Sequence, residues 1–429
     1  MFEIDGKYNS AKVFATVIEE ECITQIMDLC NQKWLEGLNI AIMPDCHAGK
    51  GATIGTTITL QNKVSPSLVG VDISCGMLII KIPNELNIEI EKIDEFINDN
   101  IPSGFEINPQ IDSKINYGFL NDLRCIKQIK NLEHIKKSLG SLGGGNHFIE
   151  INQAANQDKY LVVHSGSRNL GKQIAEIYQD MADKNCNEKV NHKNREEIIK
   201  KLKLEGRSQE IQKALEHLKE TEKTIPYHLC YVSGKDFEDY LHDCHICNQY
   251  ASMNRHEIAF KILKFIVKDN GYNENTAWLK ETKENQYEFG YTDNNINIIS
   301  NGWQTIHNYI GKDNILRKGA ISAKKGEKVI IPVNMKDGSI IAVGKGNSNY
   351  NYSGPHGAGR LLSRAKAKEK ISLEEFENAM KDVYTTSVCQ STIDESPMAY
   401  KNINDIIDNI QDTVEIVEII KPIYNFKAH

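Results

Sequence analysis

Short apolar runs separated by glycine turns dominate the first eighty residues of the chain. Such runs predict strands, and several are rich in β-branched residues; they are VFATVI, NIAIMP, ATIGTTITL, SLVGVDI and GMLIIKI. HFIEI and KYLVVHSG repeat the pattern further along, and the segment 327–343 predicts a β-hairpin around Asp337 and Gly338. The chain therefore predicts a core rich in β-sheet.

Helical patterns occupy three other segments. IEKIDEFIND predicts one helix, and the segment 240–268 predicts another. From 171 to about 223 the sequence is highly charged and predicts a helical hairpin that pivots near Gly206. Helices of mixed charge are usually solvated arms, and the functional alternative is a lid or an RNA-facing arm. Because no break in composition divides the chain, we expect a mixed α/β (α+β) fold with one catalytic domain over 1–429, into which the charged helices are inserted.

The composition narrows the class of protein. Of 429 residues, 40% are hydrophobic, which suffices for a large buried core and is typical of a globular enzyme. The formal charge of -7 argues against a basic surface that grips long nucleic acid, although bound divalent ions could supply local positive charge. Ten irregularly spaced cysteines predict core thiols or metal ligands rather than disulfides. No signal-peptide pattern and no membrane-spanning run is present, so we expect a cytoplasmic protein.

Polar residues that can carry chemistry stand at the ends of predicted strands. In VGVDISCGM, Asp72 and Cys75 are three residues apart, so a carboxylate and a thiolate could reach one metal ion. A cysteine in this place is more often a buried small apolar residue. His164 ends one apolar run and His307 follows another, and each alone could be a core histidine.

Two glycine-rich segments predict close approach of the backbone to a ligand. GSLGGGNHFIEI places Asn146, His147 and Glu150 after a glycine cluster, which could hold phosphate through backbone N–H groups or be a plain turn. In SGPHGAGRLLSR, small residues leave His356 open to a bulky electrophile, and Arg360 is near enough to hold phosphate. This layout is typical of a nucleophilic histidine.

The combination of these residues indicates more than any one of them. One Asp, one Cys and three His side chains could ligate two divalent ions with the thiolate bridging, and such donors accept Mn, Zn or Fe. Arg168, in VVHSGSRNLG, adds a guanidinium that can bind phosphate through two N–H groups. The residues alone predict a metal site near a nucleotide or phosphate.

Seven motifs, in order, resemble the RtcB family of RNA ligases over nearly the whole chain. They are MPDCHAGKGATIG at 43–55, VGVDISCGM, SLGGGNHFIEI, VVHSGSRNLG, HNYI, SGPHGAGRLLSR and the tail from SPMAYKNI to NFKA. The resemblance implies the family's own α/β fold, with a deep cleft that binds two Mn(II) ions and GTP. It also implies that His356 carries GMP as a covalent intermediate.

The resemblance assigns individual residues to these roles. One ion is held by Cys75, His164 and His307, and the other by Asp72, Cys75 and His147. The implied GTP pocket comprises Asn146, Glu150, Asn308, Pro332, Val333, Asn334, Met335, Ser339, Gly357, Ala358, Gly359, Tyr400 and Lys427. Contacts to RNA or phosphate are expected for Arg168 and Arg360, and supporting or RNA-positioning roles for Asp45, His47 and Lys50.

The reaction implied by the resemblance joins RNA with a 3′-phosphate or 2′,3′-cyclic phosphate to RNA with a 5′-hydroxyl, in tRNA splicing or RNA repair. His356 takes GMP from GTP and passes it to the 3′-phosphate, and the 5′-hydroxyl then displaces GMP. We expect a monomer, and the need for an activating protein partner is left open. Two alternatives are a metal-dependent RNA phosphoesterase without ligation and an RNA-binding protein without catalysis.

Several further residues receive structural interpretations. In HDCHIC, four histidines and cysteines crowd into a predicted helix without a second ligand pair, which argues against a structural zinc; they are His242, Cys244, His245 and Cys247. Asn254 and Arg255 are assigned to the cleft, and the KDG at 336–338 to a hairpin turn. Pro355 departs from the family pattern, in which Ser and Cys residues commonly precede the nucleophile. The remaining histidines of interest are expected to be solvated: His134, His192, His217 and His429.

Overall fold

Two β-sheets form the framework of the protein, and α-helices pack against them. The computed structural model describes residues 1–16, 18–219 and 225–428, without the side chains of 188–194 and 216–219. The helices are α1 (Glu20–Cys30), α2 (Ile90–Asn100), α3 (Leu132–Ser138), α4 (Arg168–Asp183), α5 (Lys189–Leu204), α6 (Ile211–Lys219), α7 (Lys235–Asp269), α8 (Arg364–Lys370), α9 (Leu373–Met380) and α10 (Ile403–Ile410).

The strands are spread along the whole described chain. They are β1 (Phe2–Asp5), β2 (Ser10–Val13), β3 (Ile40–His47), β4 (Ile54–Thr59), β5 (Lys63–Val64), β6 (Gly76–Ile82), β7 (Phe148–Gln153), β8 (Lys159–Ser165), β9 (Val232–Ser233), β10 (Trp278–Lys283), β11 (Gln286–Asp293), β12 (Ile296–Ile306), β13 (Tyr309–Ile310), β14 (Ile315–Lys318), β15 (Ala320–Ser322), β16 (Lys328–Asn334), β17 (Gly338–Gly344), β18 (Ser353–Pro355) and β19 (Val414–Phe426).

The larger strands assemble into a six-stranded and a nine-stranded sheet. The first has the order β1-β2-β3-β4-β14-β13, and the second β10-β11-β12-β6-β8-β7-β19-β17-β16. Only β2 and β3 run parallel among these described strand pairs. Short antiparallel pairs form between β15 and β18 and between β5 and β9. The mixed α/β class predicted from the sequence is confirmed.

The long helix α7 covers one face of the nine-stranded sheet. Ile258 and Ile262 are four positions apart, which places them on one side of the helix. They belong to one buried cluster with Leu78 of β6. The helix predicted over 240–268 is therefore confirmed, and it begins earlier, at Lys235.

The hairpin predicted over 327–343 is confirmed as the antiparallel pair β16 and β17. In its turn, Asn334 Oδ1 accepts hydrogen bonds from Lys336 N at 2.9 Å and Asp337 N at 2.8 Å. Gly338 has φ +83, and a Cβ there would collide with the backbone of β19. The KDG sequence is a turn, as predicted.

Two predicted strands differ from the structure. VFATVI contributes only its first residue to β2, because Phe14 leaves the strand and stacks on Tyr350 with ring centroids 3.6 Å apart. Val17 of this run lies outside the described residues. SLVGVDI is wrong as a strand, since Gly70 has φ +104, a value that an extended strand does not allow, and Ser74, directly after the run, has φ +59. Leu68, Val69 and Ile73 of the run are buried, Val71 is exposed, and the run forms a loop that leads into β6.

The charged region after β8 divides into a buried helix and a more exposed pair. The helix α4 buries Leu170, Ile174 and Tyr178, so it belongs to the core rather than to a solvated arm. The helices α5 and α6 form the predicted hairpin, with Gly206 in a left-handed conformation at the turn (φ +72). The exposed Leu204 agrees with a solvated α5. Their assignment as an insertion into one catalytic domain stays a prediction.

The predictions for cysteines and for several histidines can be compared with their surroundings. All ten cysteines, each within the described part of the chain, are free thiols, and all but Cys389 are buried. In HDCHIC, Cys244 and Cys247 face the core while His245 is exposed, so α7 points these donors in different directions. His134 is partly exposed, whereas the predictions for His192, His217 and His429 lie outside the described side chains. Among described helices, none has the length and apolar character needed to cross a membrane.

Candidate metal and nucleotide cleft

The ends of four neighbouring strands meet at a cleft of about 680 Å³. Cys75 lies just before β6, His147 just before β7, His164 near the end of β8 and His307 just after β12. The strand β6 pairs with both β8 and β12, and β7 pairs with β8. The sheet therefore brings together side chains that are far apart in the sequence.

Cys75, His147 and His164 form a group of buried donors that could hold a metal ion. Their ligand atoms all lie within 4.8 Å of one another, and Cys75 Sγ is 3.3 Å from Nε2 of each histidine. The ring centroid of His307 is 5.3 Å from that of His164. Asp72 Oδ2 is 3.0 Å from His147 Nε2. The five side chains predicted as ligands are thus neighbours.

Hydrogen bonds to backbone carbonyls fix the orientation and the tautomer of two of the histidines. Nδ1 of His147 is 2.8 Å from Leu142 O, and Nδ1 of His164 is 3.1 Å from Asn146 O. Because a carbonyl only accepts, each Nδ1 carries a proton, and the Nε2 of a neutral ring presents a lone pair toward Cys75. Histidines that ligate metals are commonly oriented in this way.

Two further features of the donor group indicate a site for a cation. Nε2 of His147 faces the Asp72 carboxylate, so a proton or a metal ion has to separate two groups that otherwise both accept hydrogen bonds. The buried Nδ1 of His307 has no hydrogen-bond partner among the described residues. A buried polar atom without a partner is costly, and metal ligation would remove that cost.

Burial controls the protonation of these donors. It lowers the pKa of His164 and of His307 well below the usual value, which keeps both rings neutral. Burial, together with the nearby Asp72 carboxylate, raises the pKa of the Cys75 thiol. Burial also acts to raise the pKa of Asp72, but contacts with His147 and the Ser167 N–H outweigh it and the pKa is lowered. The thiol therefore keeps its proton until a cation replaces it.

His356 lines the same cleft and is oriented by Asp45. Its Nδ1 is 2.9 Å from Asp45 Oδ2, and its backbone N–H donates to the same oxygen at 3.2 Å. Asp45 is only 3% exposed. The carboxylate accepts from Nδ1–H, so Nε2 keeps a lone pair available for attack. The ring centroid of His356 is 5.0 Å from that of His307, which places the imidazole beside the donor group.

The strand that precedes His356 is held from both sides. Pro355 is the last residue of β18, which pairs with β15. Ser353 Oγ accepts a hydrogen bond from Arg317 Nε at 2.9 Å and donates one to Asn351 O at 2.8 Å. The proline that departs from the family pattern therefore stands in a fixed segment and leaves the imidazole in the cleft.

Glu395, a buried carboxylate that the sequence analysis missed, organises another part of the cleft lining. It is 3% exposed, accepts from the Tyr400 hydroxyl at 2.7 Å and contacts Lys427 Nζ at 3.0 Å. Nη1 of Arg364 and Nη1 of Arg360 lie 2.8 Å and 3.4 Å from its Oε1. Burial acts to raise its pKa, but the charges of Lys427 and Arg364 outweigh this and lower it. An acidic pair directly before SPMAYKNI was the available sequence signal.

Most residues predicted for the nucleotide pocket do line the cleft. These are Asn146, Glu150, Asn308, Pro332, Val333, Asn334, Met335, Gly357, Ala358, Gly359, Tyr400 and Lys427, and His47 and Arg360 join them. Ser339 is fully buried instead, and its neighbour Gly338 lines the cleft. Its hydroxyl has no hydrogen-bond partner in the described part of the chain.

Arg168 and Lys50 stand apart from this lining. Arg168 Nε donates to Ser141 Oγ at 3.1 Å, and its Nη2 donates to Gly104 O at 3.0 Å. Its guanidinium is thus occupied in joining two loops, which argues against the predicted phosphate contact. Lys50 is exposed outside the cleft.

Asn254 and Arg255 lie beneath the cleft rather than in it, because the face of α7 that carries them is buried. Arg255 Nη1 donates to Ser74 O and Ser165 O, both at 2.9 Å. Its Nη2 donates to Gln304 Oε1 at 2.9 Å. The two serines directly adjoin ligand residues, so this guanidinium ties together the segments that carry the donor group.

Arg255→Met should lower the free energy of unfolding by about 3 kcal/mol, because three buried oxygen atoms lose a charged donor. Urea denaturation of the metal-free protein measures the change. A loss below about 1 kcal/mol would contradict this role. The matched control is Arg207→Met, since Arg207 is exposed and pairs with Glu210 at 2.7 Å on the surface; this change should leave stability unaltered.

Comparison with known proteins identifies the family of the chain. The model of the family described as tRNA-splicing ligase RtcB matches residues 25–428. An RNA-splicing ligase RtcB of Escherichia coli strain K12 is 29% identical over 420 residues, which cover 91% of this chain and 90% of that protein. A tRNA-splicing ligase RtcB of Methanococcus maripaludis is 25% identical, with 94% and 90% covered. The chain belongs to the RtcB family, which confirms the resemblance drawn from its motifs.

Proposed function

We propose that the protein is an RNA ligase that joins a 3′-phosphate or 2′,3′-cyclic phosphate end to a 5′-hydroxyl end, with GTP as co-substrate and His356 as the GMP carrier. The observation that carries the proposal is the pair His356 and Asp45 beside the donor group. A free Nε2 next to donors for a divalent cation suits attack on a phosphorus atom. The cleft volume of about 680 Å³ is in the usual range for a bound small molecule.

Two Mn(II) ions would be held by the donor group. One would take Cys75, His164 and His307, and the other Asp72, Cys75 and His147, with the thiolate shared. The fit rests on the convergence of Nε2 atoms on Cys75 Sγ and on the unpartnered Nδ1 of His307. When bound, the ions would neutralise charge on the phosphate oxygens during transfer.

The GTP pocket would use the lining residues near His356. Glu150 is 3% exposed, and its carboxylate accepts from Asn152 Nδ2 at 3.0 Å and Asn425 Nδ2 at 2.7 Å. These bonds fix an acceptor that suits the N–H donors of a guanine base. Tyr400 and Lys427, both held by Glu395, would add a hydroxyl and a cation to the pocket.

The proposed reaction begins when Nε2 of His356 attacks the α-phosphorus of GTP. An N–P bond forms, the bond to the bridging oxygen breaks, and pyrophosphate leaves. Asp45 accepts from Nδ1–H and so stabilises the positive charge that develops on the ring. An RNA 3′-phosphate oxygen then takes the GMP, after hydrolysis of the cyclic phosphate where one is present. The 5′-hydroxyl finally attacks the activated 3′-phosphate and GMP leaves.

Other parts of the proposal concern the protein in the cell. We propose a role in tRNA splicing or RNA repair, a cytoplasmic location and a monomeric state. We propose an RNA contact at Arg360 because, unlike Arg168, it lines the cleft, although Glu395 and Tyr400 already bind its guanidinium. His47 lies in the same lining and would have a supporting role. The charged helices α5 and α6 have no assigned role in the reaction.

The test is an assay with Mn(II), α-labelled GTP and two RNAs of defined ends. We expect an acid-labile GMP adduct that maps by mass spectrometry to the peptide containing His356. We also expect a joined product from RNAs that carry a 3′-phosphate and a 5′-hydroxyl. The matched control is a pair with a 3′-hydroxyl and a 5′-phosphate, which should not be joined.

Two results would replace the proposal with one of its rivals. Release of inorganic phosphate from the RNA end without an adduct would indicate a metal-dependent phosphoesterase. RNA binding with no turnover of GTP in the presence of Mn(II) would indicate a non-catalytic RNA-binding protein.

A further inference from the structure

Phe105 displays a large aromatic ring to solvent. Its side chain is fully exposed, whereas most phenylalanines of this protein are buried or partly buried. Leaving a phenylalanine in water forgoes the stabilisation that burial would give it. The ring is therefore free to contact another molecule.

The loop that carries Phe105 is held firmly in place. Leu142 N donates to Pro102 O at 2.8 Å, and Gly104 N donates to Gly143 O at 3.0 Å. Arg168 Nη2 donates to Gly104 O at 3.0 Å on the same loop. Since the residues on the N-terminal side of Phe105 are fixed by main-chain bonds, the ring is presented by a rigid support.

The loop that carries Phe105 adjoins the glycine loop that leads into the cleft. Gly143 belongs to the glycine loop that leads directly into Asn146 of the cleft lining. A Cβ built on Gly145 would lie 3.9 Å from Arg364 Nη2, another lining side chain. The loop 102–106 contacts this glycine loop, since Gly104 N donates to Gly143 O and a Cβ built on Gly144 would lie 3.6 Å from Gly104 Cα. Phe105 directly follows Gly104, so it lies near the cleft although it is not one of the residues that line it.

We propose that Phe105 is a stacking platform for a nucleobase of the RNA strand that enters this cleft. The inference rests on the proposed function, because it takes RNA as the substrate. Every base has an aromatic face, so stacking holds a strand without selecting its sequence. This suits a chain with a formal charge of -7, in which phosphate contacts alone offer little attraction for RNA. Arg168 would then act as a positioning residue for the platform.

The experiment compares three substitutions in the full-length protein: Phe105→Ala, Phe105→Leu and Phe105→Trp. RNA affinity is measured by fluorescence anisotropy with a labelled single strand that ends in a 3′-phosphate. We expect Phe105→Ala to bind the RNA about tenfold more weakly, because the loss of one base–aromatic stack raises Kd by about this factor. Phe105→Leu should be similarly weak, whereas Phe105→Trp should restore binding, with tryptophan fluorescence quenched by the RNA.

Formation of the GMP adduct, which needs no RNA, separates this inference from the proposed function. All three variants should form the adduct at the rate of the unchanged protein, since Phe105 is not in the nucleotide pocket. Ile299→Ala is the matched control, because Ile299 is an exposed apolar residue (53%) outside the cleft lining; it should bind RNA normally.

Two results would overturn the stacking platform while the adduct still forms. One is an RNA affinity of Phe105→Ala within twofold of that of the unchanged protein. This result would mean that the ring does not bind RNA and contacts another partner, such as a protein. The other is full binding by Phe105→Leu, which would mean that apolar contact without an aromatic face is sufficient. Absence of any adduct in the unchanged protein would instead reject the proposed function.

Discussion

Asp45→Asn should slow formation of the GMP adduct by about 10⁴-fold, as the same change does when a carboxylate orients a catalytic histidine in a hydrolase triad. In the structure, Asp45 Oδ2 accepts from both Nδ1 and the backbone N–H of His356. A neutral amide no longer stabilises the charge that develops on the ring. If its NH2 group faces Nδ1, the proton moves to Nε2 and the attacking lone pair is lost.

The measurement is the single-turnover rate of labelling by α-labelled GTP at saturating Mn(II). Asp94→Asn is the matched control, because Asp94 is also buried and accepts from Tyr424 and Thr386 hydroxyls, each at 2.9 Å. It removes a buried carboxylate away from the cleft and should leave the rate unaltered. A rate for Asp45→Asn within tenfold of the unchanged protein would show that the ring is oriented by something else.

The sequence singled out most of the donor group because its members stand next to strands. Apolar runs stop at His164 and His307, whereas Cys75 stands where the run of β6 begins. Each alone could be a core residue, and it is their number that indicated a metal site. Pairing of β6 with β8 and β12 then makes these residues neighbours. To predict that these side chains lie close together, it was enough to assume that their strands belong to one sheet.

The loop before β6 was mispredicted because burial and strand conformation are different properties. SLVGVDI buries Leu68, Val69 and Ile73, but its Gly70 and the following residue Ser74 have positive φ values. Those values let Ser74 N donate to Asn308 O at 2.8 Å. A periodicity argument detects burial, and it does not detect a turn whose purpose is to place Asp72 beside His147.

The roles of two arginines could not be derived from local sequence. Arg168 comes shortly after His164, near the end of a strand, and this position suggested a contact with phosphate. Its hydrogen-bond partners are instead Ser141 and Gly104. Arg255 lies in a helix, and its partners come from three distant segments. An arginine binds any well-placed oxygen, so only the three-dimensional arrangement decides between phosphate and backbone carbonyl.

Glu395 shows the same limit for a carboxylate. Its contacts with Arg360, Tyr400 and Lys427 join segments that are separated along the chain. The motifs identified Tyr400 and Lys427 in the tail and Arg360 in SGPHGAGRLLSR. Glu395, which binds all three, had only the acidic pair before SPMAYKNI as a signal, and such a pair is most often found on the surface.

Cys75→Ala should abolish formation of the GMP adduct and remove most of the Mn(II) bound at equilibrium. The thiol lies 3.3 Å from Nε2 of both His147 and His164, so one substitution removes the ligand that two ions would share. Asp72 and the histidines would be left as two incomplete sets. Equilibrium dialysis with Mn(II), followed by labelling with GTP, measures both effects on one preparation.

Cys244→Ala is the matched control for the loss of a buried thiol. Cys244 is 6% exposed and belongs to the HDCHIC segment, whose donors point in different directions. The control should keep both Mn(II) and the adduct, and it also tests the rejection of a zinc site there. Near-normal adduct formation by Cys75→Ala would contradict the shared thiolate. Burial raises the pKa of the Cys75 thiol, so the thiol ionises only when a cation is bound. A site that still forms the adduct without Cys75 cannot be the two-ion site proposed.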